Sequence, residues 1–194
     1  MIDRGFEKLY QAAASQGGYF TRAQARDLGY SDALLHYYVA NRMAERPRRG
    51  ILRLSRFPPQ ENEDLIVAWL WSERTAVFSH ETALAMLDIS DVLPSRLHLT
   101  LPTKWRQRRL RAPANVILHF ADVAKNEISW RGPVPMTSPL RTIVDCILES
   151  GSPDIAEQAR KTAIKRGIAT QRAIRLELDR RIHDERAKNR RRRT

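Results

Sequence analysis

Glycines and helix-capping residues divide the first 54 residues into three short amphipathic segments and a hairpin, a spacing that few folds accommodate. Residues 3–15 carry Phe6, Leu9, Tyr10 and Ala13 at i, i+3, i+4 and i+7, one apolar helical stripe that Gly17-Gly18 closes. Tyr19-Phe20 reads as a short extended piece. Thr21 and Gln24 have the spacing of a capping box for a second helix, which offers Ala23, Ala25 and Leu28 for packing and stops at Gly29. Ser31 caps a third helix running to about Asn41. On that helix Leu34, Leu35, Tyr38 and Val39 fall on the packing side, whereas Ala33, His36, Tyr37 and Ala40 face outward. The outward face has no large aliphatic residue, so it suits a polar surface.

Two short segments flank Pro47-Arg48-Arg49-Gly50, and the second alternates Leu52 and Leu54 against Arg53, the pattern of a hairpin with a basic tip. Three helices followed by a basic hairpin are the order of a winged helix-turn-helix. In such a domain the third helix enters the DNA major groove and the second crosses the backbone. His36 and Tyr37 then become donors to base edges or phosphates, and Ala33 a contact for a thymine methyl. Arg22 and Arg42 stand where phosphate clamps are expected, and Arg46, Arg48, Arg49 and Arg53 line the wing. Asp32 is expected to orient a neighbouring cation rather than face phosphate. Composition agrees: 34 Lys and Arg against 22 Asp and Glu leave a net charge of +12, a field that attracts polyanions.

Pro58-Pro59 interrupts helix and sheet alike and marks the expected boundary, giving a winged helix-turn-helix over 1–58 and a mixed α/β domain over 59–182. The second domain combines helical patterns with a small sheet, so the expected class is α+β. Residues 61–73 form a helix with Leu65, Ile66, Trp69 and Leu70 on its buried side, and Ser79 caps another through Leu87. Residues 96–101 and 116–120 alternate with period two, as strands do. Between them, residues 104–111 make a basic loop or strand edge. Ser138-Pro139 and Ser152-Pro153 each open a helix with a cap followed by proline, and Thr170 caps a last helix through about Ile182. The charge run over 183–194 offers nothing to bury and predicts a disordered tail.

The candidates for catalysis are few. The histidines at 36, 80, 98, 119 and 183 are scattered, with no metal-like pair spacing and no cysteine cluster, so no metal site is expected. His98 and His119 lie on the outer alternation of neighbouring strands and pair across them. No Walker loop or dinucleotide fingerprint is present, and no cofactor or catalytic residue is assigned. Cys146 sits in an apolar run as a small core residue and has no second cysteine to pair with, which fits a reducing cytoplasm. No stretch approaches the roughly 20 apolar residues of a membrane span. The expectation is a cytoplasmic DNA-binding regulator rather than an enzyme. The alternative is an adaptor that uses the winged helix to meet RNA or protein.

Residues 20–25, Phe-Thr-Arg-Ala-Gln-Ala, and the wing ending Arg49-Gly50-Ile51-Leu52-Arg53-Leu54 resemble the N-terminal domain of AbiEi-type antitoxins. That family has a tyrosine in the strand opened by the glycine, where this chain carries Leu52-Arg53. Residues 77–84 are similar to the family's Ser-His-x-x-Ala-Leu helix start, and residues 132–145 to its Pro-Val-Thr-Ser-Pro…Arg-Thr…Asp segment, so the resemblance spans about residues 6–168. It implies the antitoxin of a type IV toxin–antitoxin system acting in phage defence. Such a protein binds double-stranded DNA at inverted repeats and represses its own promoter. Its C-terminal α+β domain counters a nucleotidyltransferase-like toxin, functionally rather than by necessary contact.

Overall fold

The computed structural model describes residues 4–149 and 152–191. The fold is α+β, and the chain divides into two compact units. One runs to Ala76 and takes in Gly132–Val134; the other comprises Val77–Arg131 and the chain from Pro135 onward.

The first unit is a winged helix-turn-helix. Helices α1 (Arg4–Ala14), α2 (Arg22–Asp27) and α3 (Asp32–Ala40) are followed by strands β2 (Ala44–Arg48) and β3 (Ile51–Leu54), with β1 (Tyr19–Thr21) between α1 and α2. Local chemistry sets the helix starts. The Gln24 amide donates to Thr21 Oγ1 at 3.1 Å while the Thr21 amide donates to Gln24 Oε1 at 2.8 Å, completing the capping box. The Leu34 amide donates to Ser31 Oγ at 3.2 Å, which caps α3. The sheet order is β1-β3-β2, antiparallel throughout, with Gly50 at φ +82 in the tip of the β2–β3 hairpin. Pro47 sits on the edge strand β2, where the register shifts and its missing donor does no harm. Leu9, Ala13, Phe20, Ala25, Leu35, Leu52 and Leu54 form the core between helices and sheet.

Helix α4 (Glu63–Trp71) packs on β1 and β3 and belongs to this unit, so the expected boundary at Pro58-Pro59 falls inside it. The proline pair turns the chain, but the apolar side of α4 finds its partner in the preceding sheet rather than in later strands. Two other expectations in this unit change: Leu34 is 38% exposed, and Ala23 is exposed.

The second unit holds a five-stranded sheet of order β6-β5-β4-β8-β7, built from β4 (Val77–Phe78), β5 (Leu97–Leu101), β6 (Val116–Phe120), β7 (Ile128–Arg131) and β8 (Val134–Thr137). Strand β4 runs antiparallel to β5 and parallel to β8, and β5 runs parallel to β6. Helices α5 (His80–Leu87), α6 (Pro139–Glu149), α7 (Pro153–Lys165) and α8 (Gln171–Arg191) complete it. Leu84, Ile143, Val144, Cys146, Ala159, Ala163 and Ile174 build the core among these helices. Cys146 is the core residue its apolar setting predicts, and burial pushes its thiol pKa up. The basic stretch after β5 contains a 3-10 turn (Thr103–Gln107) that buries Trp105, with the Arg108 guanidinium 3.9 Å above the indole.

The tail expected over 183–194 is largely helical instead, because α8 continues to Arg191. Its composition of Arg, Glu, Lys and Ala has high helix propensity, and Arg180 pairs with Glu177 and Asp184 along the axis. The closing residues 192–194 lie outside the described residues.

An ionic network is buried beside α6. The Arg141 Nε donates to both Asp145 oxygens at 2.8 Å and its Nη1 to Glu127 Oε2 at 2.9 Å, while Arg181 Nη2 donates to Asp145 Oδ1 at 2.9 Å. Burial raises the Asp145 pKa, and Arg141 and Arg181 oppose that shift. Removing one member strands the others without water, so Arg141→Ala is expected to lower unfolding free energy by about 3–5 kcal/mol. Urea denaturation checks this, and an unchanged midpoint would show that the network contributes nothing.

Candidate nucleic-acid interface

Helix α2 and the wing are joined by backbone before any side chain is considered. The Arg22 amide donates to Gly50 O at 2.8 Å, so the start of α2 is tied to the wing tip, and Leu54 N donates to Gly18 O at 2.9 Å. Beside that junction, α3 and the wing enclose a concavity of about 240 Å³ lined by Arg22, Asp32, His36, Arg46, Arg49 and Gly50 over a floor of Leu35 and Leu52. Ala33, His36, Tyr37 and Ala40 are all exposed, so the outward face of α3 is the one its periodicity predicts. Tyr37 is 56% exposed, enough to reach a groove without unpacking anything.

Asp32 organises the cations, as expected. Arg22 grips it with Nε and Nη2 in a bidentate pair, and Arg26 Nη2 adds a third contact at 3.2 Å. The Arg22 guanidinium holds the Asp32 carboxyl below its usual range, so it stays ionised through neutral pH. Arg26 was not anticipated, although its place four residues after Arg22 puts both on one helical face. A neighbouring hollow of about 520 Å³ continues the surface from Arg22, Arg26 and Arg49 to Arg74 beyond α4. No sequence pattern signals Arg74, because only the packing of α4 on the sheet brings it there.

The other expected contacts are dispersed. Arg46 and Arg49 are exposed at the wing, but Arg48 is half-buried on β2. Arg42, at φ +56 after α3, lines a separate apolar hollow with Phe6, Tyr38, Met43 and Leu54. Arg53 is a correction: it is only 6% exposed and does not line the wing surface. Its guanidinium donates to Glu45 Oε2 and to the Phe57 carbonyl, across from Tyr19 in the register. The alternation around Arg53 predicts a wet outer face; α4 covers that face instead, and burial with the nearby Glu63 pushes the Tyr19 hydroxyl up to about 12.

The second unit corrects the expectation of scattered histidines. His98 and His119 do pair across β5 and β6, with His98 Nδ1 3.0 Å from His119 Nε2, but His80 joins them by stacking on His119 at 3.6 Å between centroids. Ser79 is the N-cap residue of α5, but its side chain makes no capping bond; its hydroxyl lies 2.9 Å from His80 Nδ1 and accepts from Thr100 Oγ1 at 2.8 Å. Burial and the two neighbouring imidazoles push His98 down to about 4, leaving it neutral at physiological pH. Close contacts with the His119 and His80 rings hold the Glu149 carboxyl far below its usual range. Among the described residues no helix is long and apolar enough to cross a membrane.

Residues 7–55 match the family described as "Transcriptional regulator, AbiEi antitoxin". The match covers the helix-turn-helix and wing, and it stops short of the two downstream motifs that resemble the same family. No curated protein matches the chain. Among solved structures, the chain is similar to the crystal structure of the RV2827C protein from Mycobacterium tuberculosis, with a TM-score of 0.52 and 12% identity over 90% of this chain and 71% of that one. Identity that low carries the fold alone, and it carries it for most of the chain.

The corrected roles separate in a stability measurement. Arg53→Ala leaves a part-buried carbonyl and a carboxylate without their partner and opens a hole where the buried side chain was, and is expected to cost about 1–3 kcal/mol, whereas Arg49→Ala, at an exposed tip, should stay within about 0.5 kcal/mol. Thermal unfolding of both variants checks the pair; equal melting temperatures would return Arg53 to the surface set.

Proposed function

We propose that the chain is a transcriptional autoregulator that binds operator DNA through α3 and the wing and represses its own promoter. The reading rests on one observation above the others: Arg22, His36, Arg46 and Arg49 converge on a single concavity between the recognition helix and the hairpin. The exposed α3 face supplies base-edge contacts from His36 and Tyr37 and an apolar contact from Ala33. The wing supplies phosphate contacts from Arg46 and Arg49, with Arg48 and Arg42 at the margins. Arg26 and Arg74 extend the phosphate track beside α2. Helix α3 also presents its N-terminal turn to the duplex, with Asp32 shielded from phosphate by its two arginines.

In this reading the first unit, with its winged domain braced by α4, is the DNA-binding module, and the second unit carries the antitoxin role. The family match over 7–55 supports regulator and antitoxin together. The toxin countered is of the nucleotidyltransferase-like class, and the system operates in the cytoplasm in defence against phage. The protein itself is a non-enzymatic partner in that pair.

A gel shift with the full chain on the DNA upstream of its own gene tests the proposal. The expected result is a shifted inverted repeat that survives competition by structured RNA. The double variant Arg46→Ala/Arg49→Ala should bind at least about tenfold more weakly, with a salt dependence shallower by about two phosphate contacts. His36→Ala should narrow the gap between operator and unrelated DNA by about 1–3 kcal/mol. Absence of binding at low salt, or a preference for RNA, overturns the reading. The antitoxin role is tested separately: co-expression of the chain should restore growth to cells carrying the toxin, and failure to do so removes that role alone.

A further inference from the structure

The second unit contains a side-chain cluster that the DNA-binding reading does not use. His80, His98 and His119 come from the start of α5 and from the adjacent strands β5 and β6, and each offers a ring nitrogen within 4.8 Å of the others. His80 is 3% exposed and its Nε2 is buried without a hydrogen bond; the nearest charged atom is Glu149 Oε2 at 3.4 Å. The same carboxylate oxygen lies 3.4 Å from His119 Nδ1, at the end of α6. Glu81 stands 4.0 Å from His98 Nε2, on the side of that ring away from His119.

Three largely buried imidazoles are a poor way to fill a core. Each ring has two polar nitrogens to satisfy, and an aliphatic side chain would pack there without that demand. The backbone is also constrained, since His80 sits at φ +50, a left-handed conformation that non-glycine residues rarely adopt. The conformation directs an imidazole into the cluster. Ser79 holds its Nδ1, the Thr100 hydroxyl holds Ser79 in turn, and Nε2 is left to another partner.

We infer that His80, His98 and His119 form a binding site for one zinc-class divalent cation. Three imidazole nitrogens with a fourth position left to water are a donor set that zinc accepts in tetrahedral geometry, with metal–nitrogen distances of about 2.0–2.1 Å. Those lengths separate neighbouring ligand atoms by roughly 3.3 Å; His98 Nδ1 and His119 Nε2 lie 3.0 Å apart, and a nitrogen from each of the three rings lies within 4.8 Å of the others. Glu149, 3.4 Å from His119 Nδ1, supplies the outer support usual for a metal-bound histidine, a carboxylate behind the ring. The ion would tie strands β5 and β6 to the start of α5, so its effect is on the cohesion of the second unit and does not depend on DNA binding.

Equilibrium dialysis of the untagged full chain against zinc, followed by elemental analysis, tests the site. One equivalent should be retained, and added zinc should raise the melting temperature. Replacing zinc with cobalt(II) should give the intense visible absorption of a tetrahedral nitrogen–oxygen site. His98→Ala/His119→Ala should weaken zinc binding by more than about tenfold and abolish the thermal shift. His183→Ala, at an exposed histidine on α8, should leave both unchanged. Where the double variant does not fold, His119→Gln and the cobalt spectrum of the unaltered chain carry the decision. Failure of the unaltered chain to retain zinc, or retention unaffected by His119→Gln, overturns the assignment.

Discussion

Strand β3 is buried along its whole length, and the position of every side chain that the first unit presents outward depends on it. It lies between β1 and β2, so its backbone groups are matched on both edges, and its Leu52 and Leu54 anchor the sheet to the helices. Because β1 precedes α2 directly, pairing β1 with β3 fixes where α2 begins, and the Arg22–Gly50 backbone bond carries that placement to the wing tip. The burial of Arg53 belongs to the same arrangement. A charged residue in mid-strand is tolerable only with full compensation, which Glu45 from β2 and the Phe57 carbonyl provide. An arginine that looked available to a ligand is committed to holding the hairpin.

The second unit uses buried polarity differently. Around Asp145 the charges are matched, with cations from α6 and α8 meeting carboxylates on α6 and before β7. Around His80 they are not. One carboxylate serves two of the rings, and a buried nitrogen has no hydrogen bond. Satisfied networks of the first kind specify a packing arrangement; an unsatisfied one of the second kind is costly unless something else completes it. That contrast within one small unit is what separates a structural cluster from a binding site.

Local rules made the first 54 residues legible. The Thr21–Gln24 box, the Ser31 cap, the glycine at the wing tip and the outward face of α3 each depend on residues a few positions apart, and each is where those rules put it. Long-range packing was not legible. Arg53 obeys strand alternation, yet the face it points to is covered by α4, a helix that the proline pair had assigned elsewhere. The histidines show the same limit more sharply, since 39 positions separate His80 from His119 and no spacing rule links a helix start to two strands. The pairing of His98 with His119 could be foreseen because they alternate on neighbouring strands. His80 could not, because β4 inserts it beside them through a strand of two residues.

The Asp32 carboxylate bears on how a protein of such positive charge could discriminate among DNA sequences. A net charge of +12 favours any polyanion, and a recognition surface made of free arginines would hold every duplex alike. Asp32 sits in the first turn of α3, where a negative charge also suits the helix dipole, and it occupies the Arg22 fork bidentately and one nitrogen of Arg26. Phosphate must then compete with a carboxylate for those guanidiniums, so the two arginines add less to indiscriminate affinity than their number suggests. The same pairing fixes their direction, which reduces the ordering needed when a phosphate does arrive in the right place. In the proposed role, weaker attraction to the DNA backbone at Arg22 leaves a larger share of the binding energy to the exposed side chains of α3, and it is those that can distinguish one base pair from another.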